Sequence, residues 1–251
     1  QSGTPGFRLA DLSVHGELLP LARKAARQVV ETNPDLRGEE GAALRVLLHL
    51  FERTEAIRQE LLALLPQAQG RERVFGSAAL EDANLRGSRG KPEWEGYYFF
   101  RHGQRKEGNC ASCPQTTAAL ETTPLVHLRE HGPEVLFSLF APGTHLLPHR
   151  GVTNVRVVAH LPLIVPPDCA LAVGGEEYRW REGRCVFFDD TYEHEAWNRS
   201  AELRAVLIFD LWNPHLAPVE RAAASELIAA IGDFRMACEA DQAALQAAAA
   251  P

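Results

Sequence analysis

The chain has 251 residues, of which 45% are hydrophobic and 24% are charged, and its formal net charge is −7. This composition is typical of a folded globular protein, and the acidic balance excludes a basic nucleic-acid-binding groove as the main functional feature. No apolar run reaches the roughly 18 residues that a membrane-spanning helix needs. Five cysteines are too few for a disulfide scaffold.

The N-terminal part of the sequence is typical of helices. Apolar residues recur at helical spacing over residues 18–30, and the pattern stops at Asn33-Pro34. A second helical stretch starts with the acidic pair Glu39-Glu40, which suits a helix N-terminus, and ends before Pro66. We therefore predict two antiparallel helices in an N-terminal region, residues 1–70, that packs on the rest of the chain.

From about residue 94 the pattern changes to short β-type runs separated by turn signals. The predicted strands are 96–101, 135–141, 155–165, 169–173, 177–180, 185–188 and 204–212. Many short strands without long helices between them favour a sandwich, barrel or jelly roll. We therefore predict a mainly β fold with flanking helices: a core over residues 71–215, followed by a C-terminal helix and tail over residues 216–251 that opens near Pro218.

Two of the ten histidines stand in positions that favour metal binding. His149 follows a turn in the β region, and His194 follows an apolar strand that ends in two acidic residues. His145 and His149 cannot easily share one metal, because Pro148 disfavours a helix and four extended residues span about 13 Å, so at most one of them is a ligand and the spacing does not say which. His149 and His194 meet only if the fold returns one strand beside another, as a jelly roll does. Two neutral imidazoles that project into the open end of a jelly roll suit Fe(II), with zinc as a competitor.

Three sequence blocks carry a family resemblance. They are FSLFAPGTHLLPHRGVTNVRVVAHL at 137–161, FDDTYEHEAWN at 188–198 and RAVLIFDLWNP at 204–214. In order and spacing they resemble the aspartyl/asparaginyl β-hydroxylase family, and the likeness extends from about Tyr97 to Pro214. The resemblance implies a double-stranded β-helix (jelly-roll, cupin-like) core and an enzyme that depends on Fe(II), 2-oxoglutarate and O2.

The resemblance also implies roles for the metal site. His149 and His194 match the iron ligands, whereas Gly151 stands where most related oxygenases carry a third, carboxylate ligand. Members of this family are similar to one another in lacking that carboxylate. Asp190 is the candidate to hold a water at the metal or to orient His194, although the simpler interpretation is that it caps a turn.

Further matches concern the co-substrate and the substrate. Arg204 resembles the arginine that receives the distal carboxylate of 2-oxoglutarate, and a guanidinium fork suits that task. Ser138 and His160 match positions that hydrogen-bond the co-substrate. Arg156 matches an arginine associated with an acidic group of the substrate, but Val158 replaces a second arginine found in animal members.

The expected reaction is hydroxylation of the β-carbon of an aspartyl or asparaginyl unit in a protein, peptide or peptide-derived natural product, with no nucleic acid and no membrane span involved. A lipid acyl chain is an alternative substrate. Two other classes stay open, a non-catalytic jelly-roll module that binds a small carboxylate and a zinc hydrolase that uses the same histidines.

The cysteines leave a question open. Their odd number leaves at least one thiol free and favours a reducing, cytoplasmic location, and removal of a native targeting segment is compatible with the same sequence. Cys110 and Cys113 form a C-x-x-C pair that is either a local disulfide or two free thiols. A structural zinc site is disfavoured because the chain has no second C-x-x-C.

Overall fold

A computed structural model describes residues 39–89 and 91–248. The predicted helix over residues 18–30 lies outside the described residues. Within the described ranges, no helix combines the length and the apolar character that crossing a bilayer requires.

The elements follow one another in an order that places most strands between two long helices. In chain order they are α1 (Glu39–Leu64), β1 (Arg71–Arg73), α2 (Ala78–Asn84), β2 (Leu85–Gly87), β3 (Trp94–Arg101), β4 (Gln104–Arg105), α3 (Glu107–Ser112), α4 (Pro114–Glu121), β5 (Val135–Phe140), β6 (Thr144–His149), β7 (Arg156–Ile164), β8 (Cys169–Val173), β9 (Glu176–Tyr178), β10 (Val186–Phe188), β11 (His194–Asn198), β12 (Arg204–Trp212) and α5 (Pro218–Ala248).

The strands form two antiparallel sheets. The larger sheet has the order β1-β3-β5-β12-β7-β10, with β4 paired to β3, and the smaller has the order β2-β6-β11-β8-β9. Strands that are neighbours in space are mostly distant in sequence, as in β5 beside β12 and β6 beside β11. This crossing over between two facing sheets is the jelly-roll arrangement, so the predicted fold class is confirmed.

The larger sheet is covered on both faces, which explains why β5 and β12 are apolar along nearly their whole length. One face meets the smaller sheet in a cluster that includes Phe140, Leu146, Val158, Phe188 and Ala196. The other face meets α1 and α4 in the main apolar cluster, to which α1 contributes side chains on one helical stripe, Leu50, Ile57 and Leu61. The side chains that matter for function lie between the two sheets.

The sequence predicted several element boundaries closely. The second predicted helix is α1, ending at Leu64 before Pro66, and the C-terminal helix begins at Pro218. All seven predicted strands overlap strands of the structure. The proposed division at residues 70 and 215 stays a prediction.

The sequence missed the short elements, namely α2, α3, α4, β1, β2, β4, β6 and β11. The last two matter most because they carry His149 and His194. In β6, Pro148 and two histidines obscure the alternating pattern of a strand, and β11 has only five residues. Their strand structure is imposed by pairing with neighbours rather than by local propensity.

Candidate active site

A β-bulge brings the two predicted metal ligands to the same face. His194 on β11 pairs directly with His149 on β6, and two residues further along Ala196 pairs with Leu146. Leu147 and Pro148 of β6 therefore stand opposite Glu195 of β11, and the extra residue lets His149 point to the side on which Leu146 lies in the core. Pro148, which has no N–H for the ladder, fits at this irregularity.

The two imidazole rings are adjacent and have matching tautomers. Their centroids lie 4.1 Å apart with planes 52° to one another. Nδ1 of His149 lies 2.8 Å from the carbonyl oxygen of Leu147, and Nδ1 of His194 lies 2.9 Å from that of Tyr192. A carbonyl only accepts, so both Nδ1 atoms donate, and in a neutral ring this tautomer leaves the lone pair on Nε2. Burial lowers the pKa of His194, which keeps that ring neutral. The pair has the chemistry of a two-histidine metal site.

The position of the Asp190 side chain explains why a glycine stands at position 151. The backbone N–H of Gly151 donates to the carbonyl oxygen of Asp190 at 2.7 Å. A Cβ built on Gly151 would lie 2.3 Å from the carboxyl carbon of Asp190, so a side chain there is sterically excluded. The carboxylate of Asp190 thus occupies the space into which a residue at position 151 would extend. Among the described residues, no group of three or more His, Cys, Asp or Glu side chains has metal-binding geometry.

Arg156 links Asp190 to the core of the larger sheet. Its Nη2 donates to Oδ2 of Asp190 at 2.8 Å, and its Nη1 donates to Oδ1 of Asp210 at 2.8 Å. Asp210 on β12 also accepts the backbone N–H of Glu134 at 3.0 Å. Burial raises the pKa of Asp210 to about 6 despite Arg156 beside it. Oδ1 of Asp190 is buried and has no hydrogen-bond partner within the described part of the chain.

Arg204 is a buried cation without a counter-ion. The first residue of β12, it is 1% exposed, and no carboxylate among the described residues lies within ion-pair distance of it. The guanidinium carbon lies 3.8 Å from the ring centre of Phe140 and 4.9 Å from that of Trp180. Nη1 donates weakly to Oγ of Ser138 at 3.3 Å, and Nε has no partner. Burial lowers the pKa of Arg204 to about 9.

Other unsatisfied polar atoms lie beside Arg204. Burial holds the pKa of His160 well below its ordinary value. Within the described part of the chain, neither Nδ1 of His160 nor the indole N–H of Trp180 has a hydrogen-bond partner. The His160 ring lies 5.9 Å from that of Trp180. The hydroxyl oxygen of Ser138 accepts from Nε1 of Trp94 at 2.9 Å, which leaves its own proton free to donate to a ligand. Buried polar groups without partners are rare, and several together indicate a polar ligand.

The residues around Arg204 lie next to the histidine pair, with Phe188 between them. Phe188 contacts both regions, with its ring centre 5.4 Å from His194 and 5.1 Å from His160. The structure therefore brings together six of the seven predicted site residues, His149, His194, Asp190, Arg204, Ser138 and His160, around one space between the sheets. Arg156 lies behind Asp190, with both terminal nitrogens already bonded to carboxylates, so its role toward a substrate stays a prediction.

Sequence reasoning did not identify Asp210 or Trp180 as parts of the site. The sequence does contain an indication for Asp210, since it is an acidic residue within the apolar run 204–212 and a buried carboxylate needs a partner. Trp180 left none, since a tryptophan near a turn usually packs in a core.

Other predictions concern residues outside the site. His145 lies on the outer face of β6, where its Nε2 is 2.6 Å from a carboxylate oxygen of Glu195. Cys110 and Cys113 are free and buried, so the disulfide is not formed and two thiols remain. Burial raises the pKa of Cys113 to about 12.

The sequence is similar to proteins that are named as hydroxylases. The human aspartyl/asparaginyl beta-hydroxylase is 36% identical over 166 residues, covering 66% of this chain and 21% of that protein. The ornithine lipid ester-linked acyl 2-hydroxylase of Rhizobium tropici is 38% identical over 128 residues, covering 50% of this chain and 43% of that protein. The chain thus matches about a fifth of the human relative and less than half of the bacterial one.

Similarity to solved structures is weaker. The cupin domain of Cnp3 from Schizosaccharomyces pombe aligns with a TM-score of 0.31 and 9% identity, covering 55% of this chain and 74% of that one. The sequence model of the family described as aspartyl/asparaginyl beta-hydroxylase matches residues 52–214, which is more than half of the chain and includes every residue of the site. The protein therefore belongs to the aspartyl/asparaginyl β-hydroxylase family.

Proposed function

We propose that the protein is an Fe(II)- and 2-oxoglutarate-dependent dioxygenase that hydroxylates an aspartyl or asparaginyl β-carbon in a protein, peptide or peptide-derived natural product. The observation that carries the proposal is a buried guanidinium, with no carboxylate partner among the described residues, between the same two sheets as two adjacent imidazoles whose Nδ1 atoms donate to backbone carbonyls. An unpaired buried cation costs several kcal/mol, so its retention favours an anionic ligand.

His149 and His194 would hold the metal through their Nε2 atoms. The donor set fits Fe(II), because neutral imidazole nitrogens bind it well and the absence of a third protein ligand leaves positions for a chelating keto acid and for O2. Iron, when bound, supplies the oxidising chemistry that couples decarboxylation of 2-oxoglutarate to succinate and CO2 with insertion of one oxygen atom into a C–H bond.

Arg204 would receive the distal carboxylate of 2-oxoglutarate. Its position between the rings of Phe140 and Trp180 fixes the plane of the guanidinium, so that its N–H donors are held in one orientation. The Ser138 hydroxyl and the neutral His160 ring supply further hydrogen bonds around it. The apolar side chains packed around these groups, including Phe188, exclude water and strengthen these interactions.

A lipid acyl chain is the second candidate substrate, favoured by two observations. The relative that is 38% identical is named as an acyl hydroxylase. Val158, which replaces the second arginine expected for an acidic substrate, is buried in the apolar cluster between the sheets.

Anaerobic titration tests the proposal. Adding Fe(II) and then 2-oxoglutarate is expected to give a weak metal-to-ligand absorption band, and adding O2 together with a substrate is expected to give succinate, CO2 and the hydroxylated substrate. Candidate peptides and acyl lipids are then screened by mass spectrometry for the gain of one oxygen atom. A protein that binds a carboxylate through Arg204 but never produces succinate would instead be a non-catalytic binding module.

A zinc hydrolase is tested by the metal that restores activity. The protein is stripped of metal and reloaded with Fe(II) or with Zn(II) in parallel. The proposal requires that the Fe(II)-loaded protein forms succinate and that the Zn(II)-loaded protein does not. Hydrolytic activity restored by Zn(II), with no consumption of 2-oxoglutarate, would contradict it.

A further inference from the structure

Resting on the proposed function, we infer that Asn198 is a positioning residue for the co-substrate. Its buried side-chain amide joins the two sheets beside Arg204, and it thereby sets where the guanidinium stands relative to the histidine pair. Asn198 acts through two intermediaries, the ring of Phe140 and the turn that leads from β11 into β12.

The nitrogen of the Asn198 side chain donates across the space between the sheets. Asn198 is the last residue of β11 in the smaller sheet, and it is fully buried. Its Nδ2 lies 3.1 Å from the carbonyl oxygen of Phe140 and 3.2 Å from that of Ala141, at the end of β5 in the larger sheet. The same nitrogen lies 2.7 Å from the carbonyl oxygen of Glu202, in the turn before β12. The amide therefore joins both sheets and the connection between them.

The oxygen of the same amide holds the beginning of the turn. Oδ1 of Asn198 accepts the backbone N–H of Ser200 at 3.1 Å and the hydroxyl of Ser200 at 2.6 Å. It also accepts the thiol of Cys169, which pairs with Asn198 across the β8–β11 ladder, at 3.2 Å. Burial raises the pKa of this thiol to about 11, which keeps its proton in place to donate. Because carbonyls only accept and a backbone N–H only donates, the amide has a single orientation.

These hydrogen bonds end on the residues that place Arg204. Phe140 pairs directly with Arg204 in the ladder between β5 and β12, and its ring centre lies 3.8 Å from the guanidinium carbon. Glu202 precedes Arg204 by two residues. The hydrogen bonds from Arg204 to Ser138 are long, at 3.3 and 3.4 Å, so they hold the guanidinium only weakly. Its position therefore depends on the ring of Phe140 and on the start of β12, which Asn198 ties together.

The spacing between β11 and β12 matters for a ligand that bridges them. β11 begins at His194, a proposed metal ligand, and β12 begins at Arg204. 2-Oxoglutarate would have to reach both, with its keto-acid end at the metal and its distal carboxylate at the guanidinium. Since its carbon chain has a fixed length, a small shift between the two strands misplaces one end, and a misplacement of about 1 Å costs up to about 100-fold. Asn198, at the other end of β11 from His194, holds this spacing.

The test compares two keto acids that differ only at the distal end. 2-Oxopentanoate has the keto-acid group and chain length of 2-oxoglutarate, but a methyl group replaces the distal carboxylate. Both affinities are measured by anaerobic calorimetry on the Co(II)-loaded protein, at a temperature at which every variant is folded. Asn198→Ala is expected to weaken 2-oxoglutarate by about tenfold or more and to leave 2-oxopentanoate within about twofold. A purely structural role would weaken both ligands alike.

Asn109→Ala is the matched control. Asn109 on α3 also donates its side-chain amide to backbone carbonyls, at 2.8 Å to Tyr98 and at 3.4 Å to Gly70. Its neighbour Cys110 lies in the apolar cluster on the opposite face of the larger sheet from the site. Asn109→Ala is therefore expected to lower the melting temperature while the ratio of the two keto-acid affinities changes by less than about twofold.

Ser200→Ala supplies a milder perturbation that decides the question if Asn198→Ala does not fold. It removes only the hydroxyl bonded to the amide oxygen, and it is expected to reduce the preference for 2-oxoglutarate by about threefold. A wild-type preference in the folded variants, or equal weakening of both keto acids, would overturn the inference while leaving the proposed function intact. A wild-type protein with no preference for 2-oxoglutarate over 2-oxopentanoate would overturn both.

Discussion

Replacing Arg204 with methionine should stabilise the protein while abolishing its response to 2-oxoglutarate. Lowering the pKa of this side chain from 12.5 to about 9 corresponds to a penalty of about 5 kcal/mol for the charged form, at about 1.4 kcal/mol per pKa unit. Methionine keeps an unbranched side chain of similar length, so the packing around it is kept but the desolvated charge is removed.

Part of that penalty is offset in the wild type. Stacking on Phe140 and Trp180 contributes about 2 kcal/mol, and the long hydrogen bond to Ser138 contributes about 1 kcal/mol. Arg204→Met is therefore expected to raise the free energy of unfolding by about 2 kcal/mol, which for a chain of this size means a melting temperature higher by about 4–8 °C.

The pH dependence gives an independent check. Below pH 9 the folded and unfolded chains both carry the charge, and the full penalty is present. Between pH 9 and 12.5 the unfolded chain stays protonated while folded Arg204 loses its proton, so wild-type stability rises with pH relative to the variant. The difference in stability between the two proteins should therefore narrow above pH 9.

The assay is thermal unfolding with and without 2-oxoglutarate in the presence of Co(II). At 100 times the dissociation constant, the co-substrate should stabilise the wild type by about 2.7 kcal/mol and Arg204→Met not at all. Arg179→Met, which removes an exposed arginine paired with Glu177, is the control and should change stability by less than about 0.5 kcal/mol. An Arg204→Met protein that is less stable than wild type, or that is still stabilised by 2-oxoglutarate, would refute the reasoning.

Three further predictions concern the metal site and the thiols. His194→Ala should abolish metal binding, and unchanged metal content by elemental analysis would contradict the ligand assignment. Gly151→Ala should destabilise the fold by about 1–3 kcal/mol and weaken Co(II) binding, because the added Cβ would meet the Asp190 carboxylate. Gly76→Ala is the control, because a Cβ at Gly76 would meet no atom within 4 Å. Equal melting temperatures for the two variants would count against the steric argument. Cys113, buried with a pKa of about 12, should resist a thiol reagent at pH 8 until the protein unfolds, as peptide mapping would show; labelling of the native protein would contradict this.

The sequence predicted the two histidines of the site but not the strands that carry them. The motif blocks contain His149 and His194 in a recognisable order, but neither β6 nor β11 has the alternation of a strand. A bulge adds one residue to β6, and without it His149 would face away from the core. Nothing in the local sequence states which face a residue takes after such an irregularity.

Arg204 and Arg156 show the same difference for charged residues. An arginine that opens the apolar run 204–212 already indicates a site for an anion, since a buried guanidinium needs a partner. For Arg156 the sequence offers no means of choosing between a ligand and the carboxylates of Asp190 and Asp210. These two residues are 34 and 54 positions away and reach Arg156 only through the folded sheet.

The sequence by itself determined the family, the β-rich class, the histidine pair and the buried arginine, because these depend on residue types and on spacing along the chain. The tertiary structure decided which face each histidine takes, which arginine has no counter-ion among the described residues and which is held between two carboxylates. The physical reason is that ionic partnership and burial depend on distances across the sheets, and those distances are set only when strands far apart in sequence pair with one another.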